Sequence, residues 1–190
     1  MILGCSLVFQ ALGQERSVFK LDNEWFKEPI HLDGKWEFFW KQLIESGDDS
    51  TAWVEMQVPS DWYDHPQPGP FTKTGFATYR TTLLVSGRQD LGLFISHIFS
   101  SYKLIINGVV AYESGRVKRR EEEYYPYREP KVIPLSDYGF DEFEIIIQVA
   151  NYDHMNSGIH YPLVVGEYVQ LQYDLTLRQD VNLFLAGGLF

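Results

Sequence analysis

The sequence predicts an all-β protein whose strands form an antiparallel two-sheet β-sandwich of jelly-roll type. Strand-length segments alternate polar and apolar side chains and are rich in β-branched and aromatic residues. Turn signals separate them, and the clearest is Asn107-Gly108, between apolar alternations that end at Ile106 and resume at Val109. Asn-Gly suits a two-residue hairpin because both residues adopt positive φ at little cost. Apolar residues at a loosely helical spacing occur only near the end of the chain.

The first half of the chain contains a series of predicted strands. In order they cover 18–23, 31–40, 53–59 and 76–85. Polar and apolar residues alternate after Gly34, as they do in a half-buried strand, and Pro59 ends the third segment. Residues 41–46 are expected to form one helical turn. The proline-rich segment 61–74 is expected to form a long ordered loop.

The second half begins with the hairpin, which spans 93–115. Further strands are predicted over 131–135, 143–151 and 163–173, the second being largely apolar and therefore expected to be central. Residues 116–130 form a charged, tyrosine-rich loop. From Asp174 onward the spacing of apolar residues turns towards that of a helix. Taken together, about eight to ten strands with almost no helix fit a two-sheet sandwich.

Composition restricts the function classes. At 190 residues the chain is long enough for one well-buried domain, and 45% apolar and 16% aromatic content exclude a disordered protein. A net charge of −10 and a pI near 4.9 disfavour a nucleic-acid partner, because such a surface repels phosphate backbones. The basic cluster at 117–120 is followed at once by acidic residues 121–123, a pattern typical of a solvated loop.

The two ends of the chain have their own signals. Residues 1–13 are apolar and end in small residues, which resembles the later part of a secretory signal peptide without its basic start; an ordinary first strand is the alternative. Cys5 is the sole cysteine and cannot form an internal disulfide. Residues 181–190 become steadily more apolar, as in a last strand or, the interpretation we favour, the opening of a membrane helix. The predicted division is therefore 1–16 as a partial signal peptide or extension, 17–173 as the jelly roll, and 174–190 as a linker and helix start.

An ordered series of short motifs carries a family resemblance. Its members are Gly-Lys-Trp-Glu-Phe at 34–38, Val-Pro-Ser-Asp-Trp at 58–62, Gly-Phe-Ala-Thr-Tyr-Arg at 75–80, Ser-Ser-Tyr-Lys at 100–103, Ile-Asn-Gly at 106–108, and Val-Ala-Asn-Tyr at 149–152 with His154 and Ser157-Gly158. The series resembles galactose-binding-like jelly rolls, including the sugar-binding domain of family-2 glycoside hydrolases. It more closely resembles the periplasmic sensor domain of bacterial seven-transmembrane receptors with diverse intracellular signalling modules. The likeness covers roughly 32–170, and Ser157 stands where that family usually has glycine.

The resemblance implies a location and partners. It places the domain on the periplasmic or extracellular face of a bacterial membrane, with a small-molecule ligand for which a carbohydrate is the first candidate. It also implies attachment to the membrane through the C-terminal helices beyond the domain, and a homodimer in the full receptor. An intracellular kinase or cyclase module would belong to that receptor and not to this domain.

The loop after the central strand is the first candidate site. Asn151, His154 and His160 belong to a segment, 151–161, that offers amides, imidazoles, a carboxylate and phenols. Sugars are bound by such planar hydrogen-bonding groups together with aromatic faces. The structural alternative is that Asn151 and His154 only satisfy the backbone of the loop.

Four further residues complete the predicted ligand site. Arg80 lies inside a strand, where it either faces a pocket or forms an ion pair with an acidic residue such as Glu113, which could itself line the same pocket. Trp62 and Tyr125 are loop aromatics that either stack on a ligand or plug the end of the sandwich.

No cofactor, metal site or catalytic residue is predicted. His154 and His160 lack a helix that would align them on a metal ion, and no nucleophile-elbow pattern or paired glycosidase carboxylates can be singled out. The leading hypothesis is thus an extracytoplasmic ligand-sensing domain of a bacterial membrane signal-transduction receptor. The alternative is a non-catalytic carbohydrate-binding domain of a secreted glycoside hydrolase, and a stand-alone enzyme is the third interpretation.

Overall fold

The computed structural model describes residues 16–21, 28–48, 52–65, 70–87 and 90–187, with side chains to 179. Within these residues the strands, in chain order, are β1 Val18–Leu21, β2 Ile30–His31, β3 Gly34–Trp40, β4 Val54–Val58, β5 Ser60–Asp61, β6 Gly75–Val85, β7 Leu91–Ile95, β8 Ser101–Ile106, β9 Val109–Ser114, β10 Lys131–Pro134, β11 Glu142–Asn151, β12 Gly158–Ile159 and β13 Val164–Glu167. The helix α1 covers Tyr168–Gly187, and single 3₁₀ turns lie at Trp62–Asp64, Glu121–Glu123 and Leu135–Asp137.

The strands form two main sheets that pack as a sandwich. The large sheet has the order β4-β3-β6-β11-β8-β9, with β1 added parallel to β6. The small sheet has the order β10-β7-β13-β2, and β12 pairs with β5 at one end. All pairs except β1–β6 are antiparallel, so the predicted antiparallel two-sheet β-sandwich, galactose-binding-like in form, is confirmed.

The core lies between the two sheets, and β11 runs through its middle. This strand pairs with β6 on one side and β8 on the other, as its largely apolar sequence predicts. Ile145, Ile147 and Val149 point into the core and are fully buried. Gln148, between two of them, points to the outer face, which shows the period of two expected of a strand.

The hairpin predicted around Asn107-Gly108 is confirmed. Asn107 has φ 48° and Gly108 has φ 78°, the left-handed conformation that a two-residue turn with this sequence requires. The Asn107 side chain also reaches the start of β11: its Nδ2 donates to the carbonyls of Tyr138 (3.0 Å) and Glu142 (2.9 Å). A turn residue thus fixes the register of β8 and β9 and also ties them to the central strand.

Residues 41–48, which we call the strap, cross the outer face of the large sheet. One helical turn was expected at 41–46, and this expectation is wrong: the segment contains turns but no helix. Its backbone is satisfied by the sheet, since Ile44 N donates to Thr78 Oγ1 (3.2 Å) and Gln148 Nε2 donates to Ile44 O (2.8 Å). Thr78 Oγ1 in turn donates to Gln42 O (2.7 Å). Side chains from distant strands therefore outcompete the local helix.

Under the strap, Arg80 forms a buried ion pair. An ion pair was one predicted role of Arg80, but the predicted partner, Glu113, is wrong. The Arg80 Nε and Nη2 atoms both lie 2.6 Å from Glu37 Oε2, and the two side chains are 5% and 2% exposed. Glu37 and Arg80 are direct cross-strand partners in β3 and β6, whereas Glu113 lies on β9 opposite Lys103. Strand order, which the sequence does not reveal, decides which carboxylate is close.

The chain leaves the sandwich through α1. The predicted strand over 163–173 is wrong in its second half, because β13 ends at Glu167 and the helix begins at Tyr168. Tyr168 N donates to Asp90 O (2.8 Å), and a Cβ on Gly92 would lie 3.1 Å from Tyr168 Cα, so only glycine allows this approach without a shift. Among the described residues, no helix combines the length and apolarity needed to cross a membrane. The predicted signal-peptide segment lies outside the described residues.

Candidate ligand-binding site

One end of the sandwich gathers the loops that carry the predicted site. β11 ends there at Asn151, which faces Gly75 at the start of β6, and Ala150 faces Ser101 at the start of β8. The loops 96–100, 115–130 and 151–163 therefore meet at this end, which we call the rim. Contact between two of them is direct, since the Tyr124 hydroxyl donates to Asp153 Oδ1 (2.7 Å). Burial and that hydrogen bond raise the pKa of the Tyr124 phenol.

Asn151 organises the loop that comes after β11. Its Nδ2 donates to three carbonyl oxygens, those of Lys73 (3.0 Å), His154 (3.0 Å) and Asn156 (3.2 Å). Its Oδ1 accepts from His154 N at 3.0 Å, and the residue is fully buried. All of its hydrogen-bonding capacity is directed to loop backbone. Any effect of Asn151 on a ligand would therefore act through the shape of the loop.

His154 presents a donor at the surface of the rim. Its ring is stacked on Phe99, with centroids 4.7 Å apart and planes 5° apart. Its Nδ1 lies 3.1 Å from Asn156 N, which can donate to it, and 3.3 Å from Asn156 O; we assign the shorter contact as the hydrogen bond, which places the proton of the neutral ring on Nε2. No described residue pairs with Nε2, and the side chain is half-buried. His154 therefore offers an oriented N–H group beside an aromatic face.

Phe99 is the centre of a cluster of rings, which we call the rim cluster. The His97 ring lies 4.9 Å from Phe99, the His160 ring 5.5 Å and the Tyr161 ring 6.1 Å. The guanidinium of Arg128 lies 5.9 Å from the Phe99 ring, and its Nε donates to Phe99 O (3.2 Å). The rim cluster consists of His97, Phe99, His154, His160 and Tyr161. It combines aromatic faces with donors, as a sugar site does.

Sequence reasoning found His154 and His160 but missed His97 and Phe99. Both precede β8, more than fifty residues before the other half of the cluster. The sequence prediction placed both inside the first strand of the hairpin at 93–115, so neither was recognised as a loop residue. In the structure β7 ends at Ile95 and β8 begins at Ser101, and His97 and Phe99 lie in the loop between them. The antiparallel pairing of β8 with β11 places them against the later loop.

Asp61, Ser157 and His160 lie together without the arrangement of a hydrolase triad. The Ser157 hydroxyl donates to Asp61 Oδ1, and Ser157 N donates to Asp61 Oδ2 (3.2 Å). The His160 Nε2 atom is 3.1 Å from Ser157 O and 3.9 Å from Asp61 Oδ2. A nucleophilic serine requires its hydroxyl to donate to the imidazole. Here it donates to the carboxylate, so these contacts hold β12 against β5 and activate no nucleophile.

Trp62 and Arg80 are buried away from the rim surface. Trp62 is fully buried, its Nε1 donates to Thr72 O (2.8 Å), and its ring lies 5.4 Å from that of Trp40. It plugs the end of the sandwich, one of the two roles the sequence left open. Arg80 lies on the outer face of the large sheet beneath the strap. Neither residue contacts the rim cluster.

Glu113 and Tyr125 are exposed at the opposite side of the rim loops. Tyr125 is 61% exposed, and its backbone forms a bridge with Arg116. Its neighbour Tyr124, which sequence reasoning did not select, is the residue that reaches the loop after β11. Of the seven predicted site residues, the structure brings Asn151, His154 and His160 together. The ligand-binding role of all seven stays a prediction.

Comparisons with known proteins show similarity in fold. No protein-family model and no curated protein matches the chain. A β-glucuronidase from Ruminococcus gnavus in complex with uronic isofagomine has a TM-score of 0.57 at 16% identity, covering 80% of this chain and 30% of that one. A family-2 β-galacturonidase from Eisenbergiella tayi has a TM-score of 0.53 at 15% identity, covering 74% and 24%.

A third solved structure, a putative β-galactosidase from Bacteroides fragilis, has a TM-score of 0.51 at 16% identity and covers 73% of this chain and 23% of its own. This chain thus spans less than a third of the length of the glycosidases it matches. At these identities the likeness shows the fold alone. The domain is a β-sandwich structurally similar to the sugar-binding domains of family-2 glycosidases.

Proposed function

We propose that this domain binds a small molecule, a carbohydrate in the first instance, and serves as the extracytoplasmic sensor of a bacterial membrane receptor without catalysing a reaction. The observation that carries the proposal is the rim cluster, where the Nε2 donor of His154 stands beside stacked rings and Arg128. Sugar rings pair an apolar C–H face with peripheral hydroxyls, and this arrangement complements both. The fold's similarity to sugar-binding domains supports the same ligand class.

The exit of the chain supports a sensor. Helix α1 begins directly after the last strand of the small sheet, without a flexible linker. A shift of β13 relative to the sandwich would therefore be passed into the helix. Ligand binding changes such an equilibrium only if two arrangements bind the ligand with different affinity. The location outside the cytoplasm, the membrane attachment and the homodimer come from the motif resemblance and remain part of the proposal.

A second candidate is the non-catalytic carbohydrate-binding domain of a secreted glycoside hydrolase. The similar solved structures favour it, because all three of those named are glycosidases. Both candidates share the sugar site and differ in the segments that would lie C-terminal to the domain. A further β-sandwich and a catalytic barrel after α1 would establish the second candidate, and a set of apolar helices would establish the first.

Binding can be tested by thermal shift and calorimetry with glucose, galactose, glucuronate and galacturonate. We expect at least one of these probes to raise the melting temperature of the domain. His154→Ala should weaken its binding at least tenfold, and His154→Gln, which can retain a donor near Nε2, should weaken it less. Val110→Ala is the control, since Val110 is 55% exposed beside the hairpin turn, at the other end of β8 and β9. No response to any probe, or full affinity in His154→Ala, would contradict the proposal.

A further inference from the structure

A cavity separates α1 from the small sheet. It has a volume of about 430 Å³, within the range of sites that hold small organic ligands. One wall is the outer face of the small sheet, including Phe94 of β7 and Val164 of β13. The other wall is one face of the helix, formed by Leu171, Asp174, Leu175 and Arg178 at the i, i+3, i+4 and i+7 spacing. We call it the helix cavity.

The lining of the helix cavity combines apolar and polar side chains. The apolar side chains are Pro29, Phe94, Pro162, Val164, Leu171 and Leu175. The polar groups belong to Glu28, His31, Ser96, Tyr161, Asp174 and Arg178. Acidic and basic side chains are both present, so the electrostatic potential of the cavity does not favour a strongly charged ligand. A neutral or singly charged molecule with one apolar face and several hydroxyls fits this chemistry best.

The helix cavity lies next to the rim cluster. Tyr161 belongs to both, because it lines the cavity and its ring lies 5.0 Å from that of His97. Ser96, which also lines the cavity, immediately precedes His97 in the chain and lies 3.4 Å from it, Oγ to Nδ1. A guest in the cavity therefore has the rim cluster as its neighbour on one side and the helix on the other.

The first turn of α1 is held against the small sheet, and the helix cavity lies under the turns that come after it. Tyr168 N bonds to Asp90 O, Gly92 admits the Tyr168 backbone, and Leu171 is only 6% exposed. The cavity lies under the next two turns, from Leu171 to Arg178, about 10 Å along the helix axis at 1.5 Å per residue. A ligand in the cavity fills the space between these turns and the sheet, and so prevents the helix from tilting towards the sheet about its fixed first turn.

We infer that the helix cavity is a binding site for a monosaccharide-sized molecule and that its occupant sets the angle between α1 and the small sheet. The inference rests on the proposed sensor function and adds the place where binding is converted into a change of helix orientation. The helix supplies four of the twelve described lining residues and the small sheet with its loops supplies the rest, so the site is complete at only one helix angle. The occupied state therefore favours that angle over others.

Two substitutions on the same helix test the site. Leu175→Trp places a large ring in the cavity, and Leu177→Trp, at a position 43% exposed that does not line the cavity, is the matched control. For whichever of glucose, galactose, glucuronate and galacturonate binds the full chain, we expect at least a tenfold loss of affinity in Leu175→Trp and less than a twofold change in Leu177→Trp. Ser96→Leu narrows the cavity from the sheet side and should also reduce the affinity for the sugar at least tenfold. This variant leaves the helix sequence unchanged, so it still tests the site if Leu175→Trp misfolds.

Helix orientation can be measured by the distance between spin labels. With Cys5 replaced by serine, cysteines introduced at Leu177 and Val110 would carry the labels, both positions being exposed. We expect the bound sugar to narrow the distance distribution, and Ser96→Leu to abolish the narrowing. If a sugar binds and His154→Ala weakens it while Leu175→Trp and Ser96→Leu do not, the inference is wrong and the proposed function stands. If no probe binds the unsubstituted chain, the proposed function itself fails and the inference with it.

Discussion

Replacing Glu37 with alanine would leave the Arg80 guanidinium charged and buried under the strap. Arg80 is 5% exposed and donates twice to one carboxylate oxygen at 2.6 Å. Breaking such a pair by removing one partner costs about 3–5 kcal/mol, because the remaining charge keeps its desolvation penalty without its counter-charge. Glu144 lies 3.9 Å from Arg80 Nη1 and is 23% exposed, so it offsets part of this loss. We therefore expect Glu37→Ala to cost about 3 kcal/mol, the lower end of that range.

Urea denaturation followed by tryptophan fluorescence would measure the loss. With an m value of about 2.5 kcal/mol/M, a cost of about 3 kcal/mol lowers the midpoint by about 1.2 M. The double variant Glu37→Leu with Arg80→Met removes both charges, and we expect it to recover most of the lost stability, since apolar replacement of a buried pair is often near neutral. The matched control is Glu55→Ala, which removes the partner of Lys35 in a pair of equal length, 2.6 Å, whose side chains are 69% and 50% exposed. That variant should change stability by less than about 1 kcal/mol. A Glu37→Ala cost no larger than the control, or a double variant as unstable as the sum of its singles, would refute the reasoning.

Three further predictions concern the rim and the tyrosines. Gly115→Ala should prevent or severely weaken folding, because Gly115 has φ 72° and a Cβ there would lie 2.2 Å from a backbone oxygen. Gly47 has a similar φ of 86° but open space around it, so Gly47→Ala should reduce the free energy of unfolding by only about 1–2 kcal/mol in thermal unfolding. Asn151→Ala should cost about 2–4 kcal/mol and lower the melting temperature, because it removes the hydrogen bonds of the buried Asn151 amide to loop backbone; an unchanged melting temperature would show that water replaces them. Burial and the hydrogen bond to a neighbouring carboxylate raise the pKa of Tyr112 to about 12, compared with about 10 in the unfolded chain. The contribution of protonated Tyr112 to the free energy of unfolding is therefore complete below pH 10 and is lost as the pH rises towards 12. Denaturation midpoints and absorbance at 295 nm, measured from below pH 10 up to pH 12, would check this. A free energy of unfolding that does not change over this pH range would contradict it.

The strands and the main hairpin were accessible from the sequence because their causes are local. Asn107-Gly108 adopts the positive φ values that define the turn, and the largely apolar segment at 143–151 occupies the centre of the large sheet. Period-two alternation decides which side chains face the core, and that choice depends only on chain neighbours. Fold class follows from the number of such segments.

The strap and the start of α1 show where local patterns are insufficient. Residues 41–46 have the composition of a short helix, but the side chains of Thr78 and Gln148 supply the hydrogen bonds that a helix would have made. The helix begins six residues earlier than its spacing suggests, because Gly92 and Asp90 receive Tyr168 on the outer face of the small sheet. Both outcomes depend on segments far away in the sequence, and tertiary contacts override weak propensity.

The chain's own residues determine that polar and aromatic side chains collect at the end of a β-sandwich, because the turn chemistry and alternation place the loop after β11 there. Only the tertiary structure decides what each of those side chains is free to do. Asn151 donates to the carbonyls of Lys73, His154 and Asn156, while His154, three residues later, stacks on Phe99 and has no hydrogen-bond partner for its Nε2 among the described residues. The physical reason is that hydrogen-bonding capacity is used up by whichever backbone groups the fold brings near. Those groups come from strands that pair across the sheet and are not neighbours along the chain.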